Sequence, residues 1–320
     1  MYFPTSGVEA NPVLLVLLSL AISTFTSMGG VSGAFLLLPY QVSVLNFTSP
    51  AVSPTNLVYN IVAIPSGVYR YIREGRMNWP ITCVVIVGTL PGIVGGALVR
   101  IHWMPDERPF KLFVGCVLLY MGARLIYGQT GRAKRRMEKI LEFEDRAGKR
   151  LQELVKEASQ AGRGIPAEAR VRTGRWGMRR MEFEFMGETF SFNVPALLLL
   201  SLVIGLVGGI YGIGGGAIIA PLLVTVFRLP IHTVAGAALA GTFFTSVAGV
   251  GVYTFLDFAD PQSVSTAPDW TLGALFGIGG IAGMYIGAGL QKVMPASVIR
   301  IGLGLGISGL ALKYVIDFFI

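Results

Sequence analysis

Two glycine clusters carry the chemistry this chain can do. Met28-Gly29-Gly30-Val31-Ser32-Gly33 and Tyr211-Gly212-Ile213-Gly214-Gly215-Gly216 each interrupt an apolar stretch that closes near a proline, Pro39 or Pro221. Glycine permits close approach and backbone angles other residues avoid. Where a helix restarts after such a break, its unbonded N–H groups present about half a unit of positive charge. That suits an anion held without a buried lysine. Gly29, Gly30, Ser32, Gly33, Gly212, Gly214, Gly215 and Gly216 are the candidate amide donors. A single cluster would read as small residues that let helices pack closely. Two at equivalent places point instead to a site between halves.

Polar side chains follow each cluster. Asn56 and Asn60 are four residues apart and share one helix face, with Ser53 and Thr55 nearby. The second half offers Thr242, Thr245 and Ser246. Such groups inside an apolar segment face a partner or a cavity, because leaving them unpaired is costly. Interhelical bonding and orientation of an oxyanion weigh evenly for the asparagines. The threonines lean toward packing, with Thr242 kept in the candidate site.

The elements that position these residues are written twice. Pro39 matches Pro221, Gly30 Gly212, Gly33 Gly215, Gly67 Gly249 and Tyr71 Tyr253, all at one offset of 182 residues. Apolar runs fall at about 12–28, 33–46, 52–70, 80–99 and 109–127, and again at 194–211, 215–228, 233–256, 271–290 and 297–318. A crossing needs about 17–25 apolar residues, so 33–46 and 215–228 read as half-helices or short buried spans. Exposed backbone at the breaks is tolerable only against protein or a cavity.

Composition agrees. Of 320 residues 53% are apolar and 14% charged, against about 25% charged in an average soluble domain; the mean hydropathy is +0.64. Residues 128–192 hold 15 of the 26 Lys and Arg and 10 of the 18 Asp and Glu. The division is a first membrane repeat at 1–127, a soluble helix–hairpin insert at 128–192 and a second repeat at 193–320. The fold class is an all-α polytopic membrane protein with two homologous halves, read as inverted repeats with glycine-broken short helices, plus an α+β insert. The net charge of +8 is a topology signal rather than a sign of nucleic acid. No basic region precedes the first apolar run, so no cleavable signal is expected.

Within the insert, apolar residues recur every three or four positions from Met137 to Ala158, which predicts a helix. Phe183, Phe185, Phe190 and Phe192 alternate about Gly187, which predicts a hairpin. An isolated hairpin is marginal, so the helix or a partner chain must cover its Phe face. Cys83 and Cys116 sit in apolar runs and read as packed thiols. Arg70, Arg73, Arg100, Arg228 and Arg300 fit snorkelling anchors; Arg70, Arg73 and Arg76 could also gather anions at a cytoplasmic vestibule. Arg124 and Lys313 are weaker candidates for an inner charge, and His102 and His232 read as interfacial. No metal or cofactor motif occurs.

The string GLVGGIYGIGGGAIIAPLL (205–223) resembles the glycine-rich signature of the TauE/SafE sulfite exporter family. Thr55-Asn56-Leu57 and the basic stretch YRYIREGRMN before Trp79 resemble that family's first-half pattern. The resemblance covers roughly 14–127 and 194–318. It implies a permease of the bacterial inner membrane for small sulfur-containing or carboxylate anions, in export or uptake. The first cluster departs from the pattern, with Ser32 and Ala34 where the second has Gly214 and Gly216, and the insert exceeds a plain loop.

An anion channel, or a membrane scaffold acting through the insert, remains open beside the carrier, as does a homodimer. An intramembrane enzyme finds no Ser/His/Asp set, HExxH motif or carboxylate pair. No Asp or Glu lies in the middle of any run, which favours uncoupled transport or coupling through the substrate's own proton.

The loop after the third run is basic (Arg70, Arg73, Arg76 against Glu74), and its counterpart is acidic (Asp257, Asp260, Asp269). The positive-inside rule places the basic loop and the insert in the cytoplasm and the N-terminus outside. A reporter fused after Asp260 is therefore expected to be extracytoplasmic; a cytoplasmic reporter would reverse the topology.

Overall fold

The computed structural model describes residues 1–28, 31–127, 131–160, 166, 170–216, 218–259, 265–290 and scattered positions between 302 and 316. Most of the apolar run at 297–318, with Arg300 and Lys313, and the side chain of Arg124 lie outside the described residues. The described chain is mostly helical. A short N-terminal ribbon, β1 (Tyr2–Phe3) with β2 (Val8–Glu9), leads into α1 (Pro12–Met28), α2 (Ala34–Ser43), α3 (Val52–Arg73), α4 (Trp79–His102) and α5 (Glu107–Tyr127). Then come α6 (Gly131–Gln160), the strands β3 (Arg172–Thr173), β4 (Arg180–Phe185) and β5 (Glu188–Asn193), and α7 (Val194–Tyr211), α8 (Ile219–Thr225), α9 (Ile231–Ala259) and α10 (Trp270–Leu290).

Local chemistry sets the helix ends. The Asn78 side chain accepts from the Ile81 N–H at 3.2 Å and starts α4; Asn193 accepts from the Ala196 N–H at 2.9 Å and starts α7, each ahead of a proline in the first turn. Gly212, at φ 76°, ends α7 in the left-handed region, and the Gly212 and Ile213 N–H groups both return to the Gly208 carbonyl. The restart in the second half is shorter than the sequence pattern implies. Only Ile219–Thr225 is helical, because the three glycines at 214–216 do not hold helical geometry cheaply.

Helices α4, α7, α9 and α10 are long and apolar enough to cross a membrane. α3 matches them in length, but its asparagines, hydroxyls and terminal arginines lower its hydropathy. Residue pairing is reciprocal between the halves. α1 packs on α10 and α7 on α4, while α3 meets α10 and α9 meets α4. These pairs exchange when α1, α3 and α4 are replaced by α7, α9 and α10. α3 and α9 touch along their lengths, with Gly67 facing Leu239 and Gly249 facing Leu57. Those two contacts exchange under the 182-residue offset and make the two helices antiparallel.

The two outer seams are lined by small residues at every fourth position. Gly88, Gly92 and Gly96 of α4 face Ser201, Gly205 and Gly209 of α7. Gly279, Gly283 and Gly287 of α10 face the α1 backbone around Val16, Leu20 and Thr24, with Ser23 and Ser27. Backbone meets backbone there, which is how helices associate where no hydrophobic effect separates them from lipid.

The insert is helix and sheet. β4 and β5 pair antiparallel with Phe183 opposite Phe190, and the turn falls at Met186–Gly187. β3 adds a third strand that periodicity did not reveal, since two residues carry no period. Phe143 of α6 covers the Phe face, with ring centroids 6.3 Å from Phe185 and 5.1 Å from Phe190. The insert is bonded to the helical body. The Val171 N–H donates to the Gly75 carbonyl at 2.8 Å, and Glu144 Oε1 accepts from the Ile231 N–H at the start of α9 at 2.9 Å. On the opposite face, buried Asp269 accepts from the Ser6 hydroxyl at 2.8 Å and caps α10 through the Leu272 N–H. The N-terminal ribbon and the acidic loop therefore share one face, and the basic loop and insert the other.

Three expectations change. His232 is buried where α6 meets α9 rather than interfacial, and Arg100 is wholly buried rather than snorkelling. Cys83 and Cys116 are exposed at the helix surface rather than packed.

A methyl group on Gly92 would collide with the Leu202 carbonyl oxygen, whereas one on Gly251 would meet nothing within 4 Å. Gly92→Ala should cost roughly 1–3 kcal/mol, and Gly251→Ala should be neutral or gain up to about 1 kcal/mol. Thermal unfolding in detergent reads both; equal melting temperatures would contradict the seam.

Candidate functional site

The two helix breaks meet at one place and are held there by α3. Asn56 Nδ2 donates to the Ala34 carbonyl at 2.9 Å, just after the first break, and to the Gly212 carbonyl at 3.0 Å, in the second. One turn on, Asn60 Nδ2 donates to the Ile213 carbonyl at 3.0 Å and to Ser246 Oγ of α9 at 3.1 Å, while Asn60 Oδ1 accepts from the Ser32 hydroxyl of the first break. Both asparagines are fully buried. Their four-residue spacing lets one face of α3 reach both breaks at successive turns.

A second ring of bonds surrounds this pair. Gln41 of α2 donates to Asn56 Oδ1 at 3.1 Å. The Tyr211 hydroxyl crosses to the Phe35 carbonyl at 3.1 Å, the Tyr253 hydroxyl donates to the Gly209 carbonyl at 2.9 Å, and Ser53 Oγ donates to the Ile210 carbonyl at 3.2 Å. Tyr59 and Ser23 share a bond of 2.7 Å. A carbonyl released by a break inside a membrane has no water to turn to, and these side chains replace the lost helical donors.

Of the sequence candidates, Ser32, Gly33, Asn56, Asn60, Gly212, Gly214, Gly215, Gly216 and Thr242 come together here. Gly29 and Gly30 lie outside the described residues. Gly214, at φ 75°, packs on Ser246 and Thr242; Gly216 rests on the Ala238–Thr242 turn of α9. The Gly215 N–H donates to Thr245 Oγ1 at 3.0 Å. Among the described residues the Gly214 and Gly216 N–H groups have no acceptor. Thr242 bonds its own helix, through the Ala238 carbonyl at 2.9 Å.

The three arginines sit elsewhere, at the insert-side end of α3. Arg70 pairs with Glu74 at 3.1 Å and donates to the Tyr285 carbonyl at 3.0 Å. Arg76 is buried, ion-paired to Glu74, bonded to the Ala288 carbonyl at 3.2 Å and placed 4.6 Å over the Tyr71 ring. Arg73 alone of the three is exposed.

Gln41, Tyr211 and Tyr253 were not singled out from sequence as site groups. Gln41 had a signal: it is the one amide in the apolar run of α2. Its Oε1, and Thr26 Oγ1 at the end of α1, are buried without a partner among the described residues. The site therefore offers neutral donors and acceptors. No group of three or more His, Cys, Asp or Glu that could hold a metal exists among the described residues.

Comparisons with known proteins give the family. The family model described as "Sulfite exporter TauE/SafE" matches residues 15–314. The chain belongs to this family. TauE/SafE proteins are membrane transporters rather than enzymes, and this chain is a multi-pass membrane protein. It is 20% identical over 296 residues to the probable membrane transporter protein YunE of Bacillus subtilis (strain 168), covering 90% of this chain and 91% of that one. It is 24% identical over 308 residues to the probable membrane transporter protein YjnA of the same strain, covering 92% and 99%. A 104-residue part is 30% identical to the probable membrane transporter protein YdhB, covering 32% and 39%. No solved structure matches the chain.

Replacing Asn56 by Ala strands the Ala34 and Gly212 carbonyls in a dry interior, at about 1–3 kcal/mol each. Thr242→Val loses only a bond within its own helix and should cost less than about 1 kcal/mol. Thermal unfolding of the two variants should differ in that order; equal losses would show that Asn56 does not clasp the breaks.

Proposed function

We propose that this TauE/SafE transporter carries a small oxyanion, a sulfite, sulfonate or carboxylate of similar size, outward across the membrane. The binding position lies between the two breaks. Backbone amides of the 29–33 and 212–216 segments bind the anion, Asn56 and Asn60 orient it, and Thr242 borders it. The observation that carries this reading is the Asn56–Asn60 clasp, which brings both breaks to a single point lined by neutral dipoles.

α8 is too short to supply a large helix dipole, so the bare amides of Gly214 and Gly216 matter more than the helix behind them. In the described conformation Thr245 occupies the Gly215 amide. An arriving oxyanion takes its place, a like-for-like exchange of acceptor. Neither carboxylate nor imidazole belongs to this set, in keeping with electrostatic selection for an anion and with no proton acceptor of the protein's own.

We read the halves as inverted repeats about an axis between α3 and α9. The reciprocal seams and the antiparallel α3–α9 contact support this. A solute between such halves can be exposed to either side by rocking one against the other. An interior-negative potential drives a monovalent anion out by about 2.3 kcal/mol per 100 mV.

The test is flux in proteoliposomes. Sulfite or methanesulfonate efflux should saturate, carry net charge and accelerate when the membrane potential is made interior-negative. Gly215→Leu, whose first side-chain carbon would lie 2.6 Å from Thr89, should reduce flux at least tenfold while the protein still inserts and elutes as a single species. Flux that does not saturate would make it a channel; unchanged flux in Gly215→Leu would remove the breaks from the route.

A further inference from the structure

Two guanidinium groups are fully buried among the described residues, and they are treated in opposite ways. Each belongs to one of the repeat-equivalent tyrosines. Arg76 lies over Tyr71 and is neutralised by Glu74. Arg100, in the last turn of α4, has Tyr253 as an electrostatic neighbour and, among the described residues, no carboxylate within ion-pair distance. Among the described residues, the acid that acts on it is Asp106, which is exposed.

The bonding of Arg100 is incomplete in a specific way. Nη1 donates to the Met104 carbonyl, and the guanidinium carbon sits 3.9 Å from the centre of the Phe110 ring. Nε and Nη2 are buried with no acceptor among the described residues. Those two nitrogens form one edge of the planar fork, the edge that matches two oxygens of a carboxylate, sulfonate or phosphate. A buried charge without a partner is strongly disfavoured and marks a pathway or a ligand. Headgroup snorkelling does not account for it, because the side chain has no exposed surface.

Its position is equally specific. One turn before Arg100, Gly96 packs on Gly209 and Ile210, at the end of α7 where the second break begins. Tyr253 donates to the Gly209 carbonyl at the same level. Arg100 stands just beyond the break, about 30 Å along α4 from the insert side.

We propose that Arg100 binds a small oxyanion through its Nε–Nη2 edge and forms a second station on the transport route, between the breaks and the face opposite the insert. This rests on the reading of the breaks as an anion site and adds to it a buried charged side chain beside them. The two buried arginines then divide the work. Arg76 is locked by Glu74 as structure, and Arg100 is left open for cargo.

The experiment is a thermal-shift titration of the purified full chain in a neutral, lipid-free detergent, with sodium sulfite and methanesulfonate as probes, and short-chain phosphatidylglycerol as a separate arm. Wild type should be stabilised by the small oxyanions. Arg100→Met should lose at least tenfold in apparent affinity, yet melt no lower than wild type without anion, because it removes an uncompensated charge. Arg100→Lys should bind more tightly than the Met variant and more weakly than wild type, having the charge without the fork. It carries the test if the Met variant does not fold. Unaltered titration in the variants, or stabilisation by phosphatidylglycerol alone, would overturn the proposal. Gly215→Leu separates the two readings. If it binds the probes normally while Arg100→Met does not, the break site fails and Arg100 stands; the reverse leaves the breaks and removes Arg100.

Discussion

Everything in this molecule answers to one constraint: a helix broken inside a bilayer must find new donors for the carbonyls it frees. Asn56 and Asn60 meet that need for both breaks from a single helix face. Without them, the first break would have no reason to lie beside the second. The Tyr211, Tyr253 and Ser53 hydroxyls extend the same solution along the end of α7. α3 is thus less apolar than its neighbours because of what it does: its polar residues are the fastening of the core.

Around that fastening, the seams are made of absence. Small residues at every fourth position let α4 lie on α7 and α10 on α1 with backbone against backbone. Each seam joins one half to the other, so neither half has a complete outer wall by itself. Phe143, Phe185 and Phe190 pack together between α6 and the β4–β5 hairpin, away from the seams.

Much of this was legible in the residues. Long apolar runs became helices at nearly the expected limits, because nothing competes with helix in a stretch such as Trp79–His102. The hairpin at 181–192 followed from strict alternation and a glycine at the turn. What escaped was set by neighbours rather than by local pattern. β3 is two residues long and exists only beside β4. The short α8 reflects contacts of Gly214–Gly216 with α9 that no window along the chain contains. Arg100 looks like any arginine at a span end until the Phe110 ring stacks against its guanidinium. The candidate residues were chosen by type and spacing, yet their spacing could not say that the asparagines would reach across to both breaks. That depends on where α7 ends in space.

One bond in the insert has a mechanical meaning. Glu144 holds the first amide of α9, the helix that backs the second break and lies against α3. α6 is thereby tied to the first turn of a helix that packs on α3. Any displacement of α9 relative to α6 would have to break that bond.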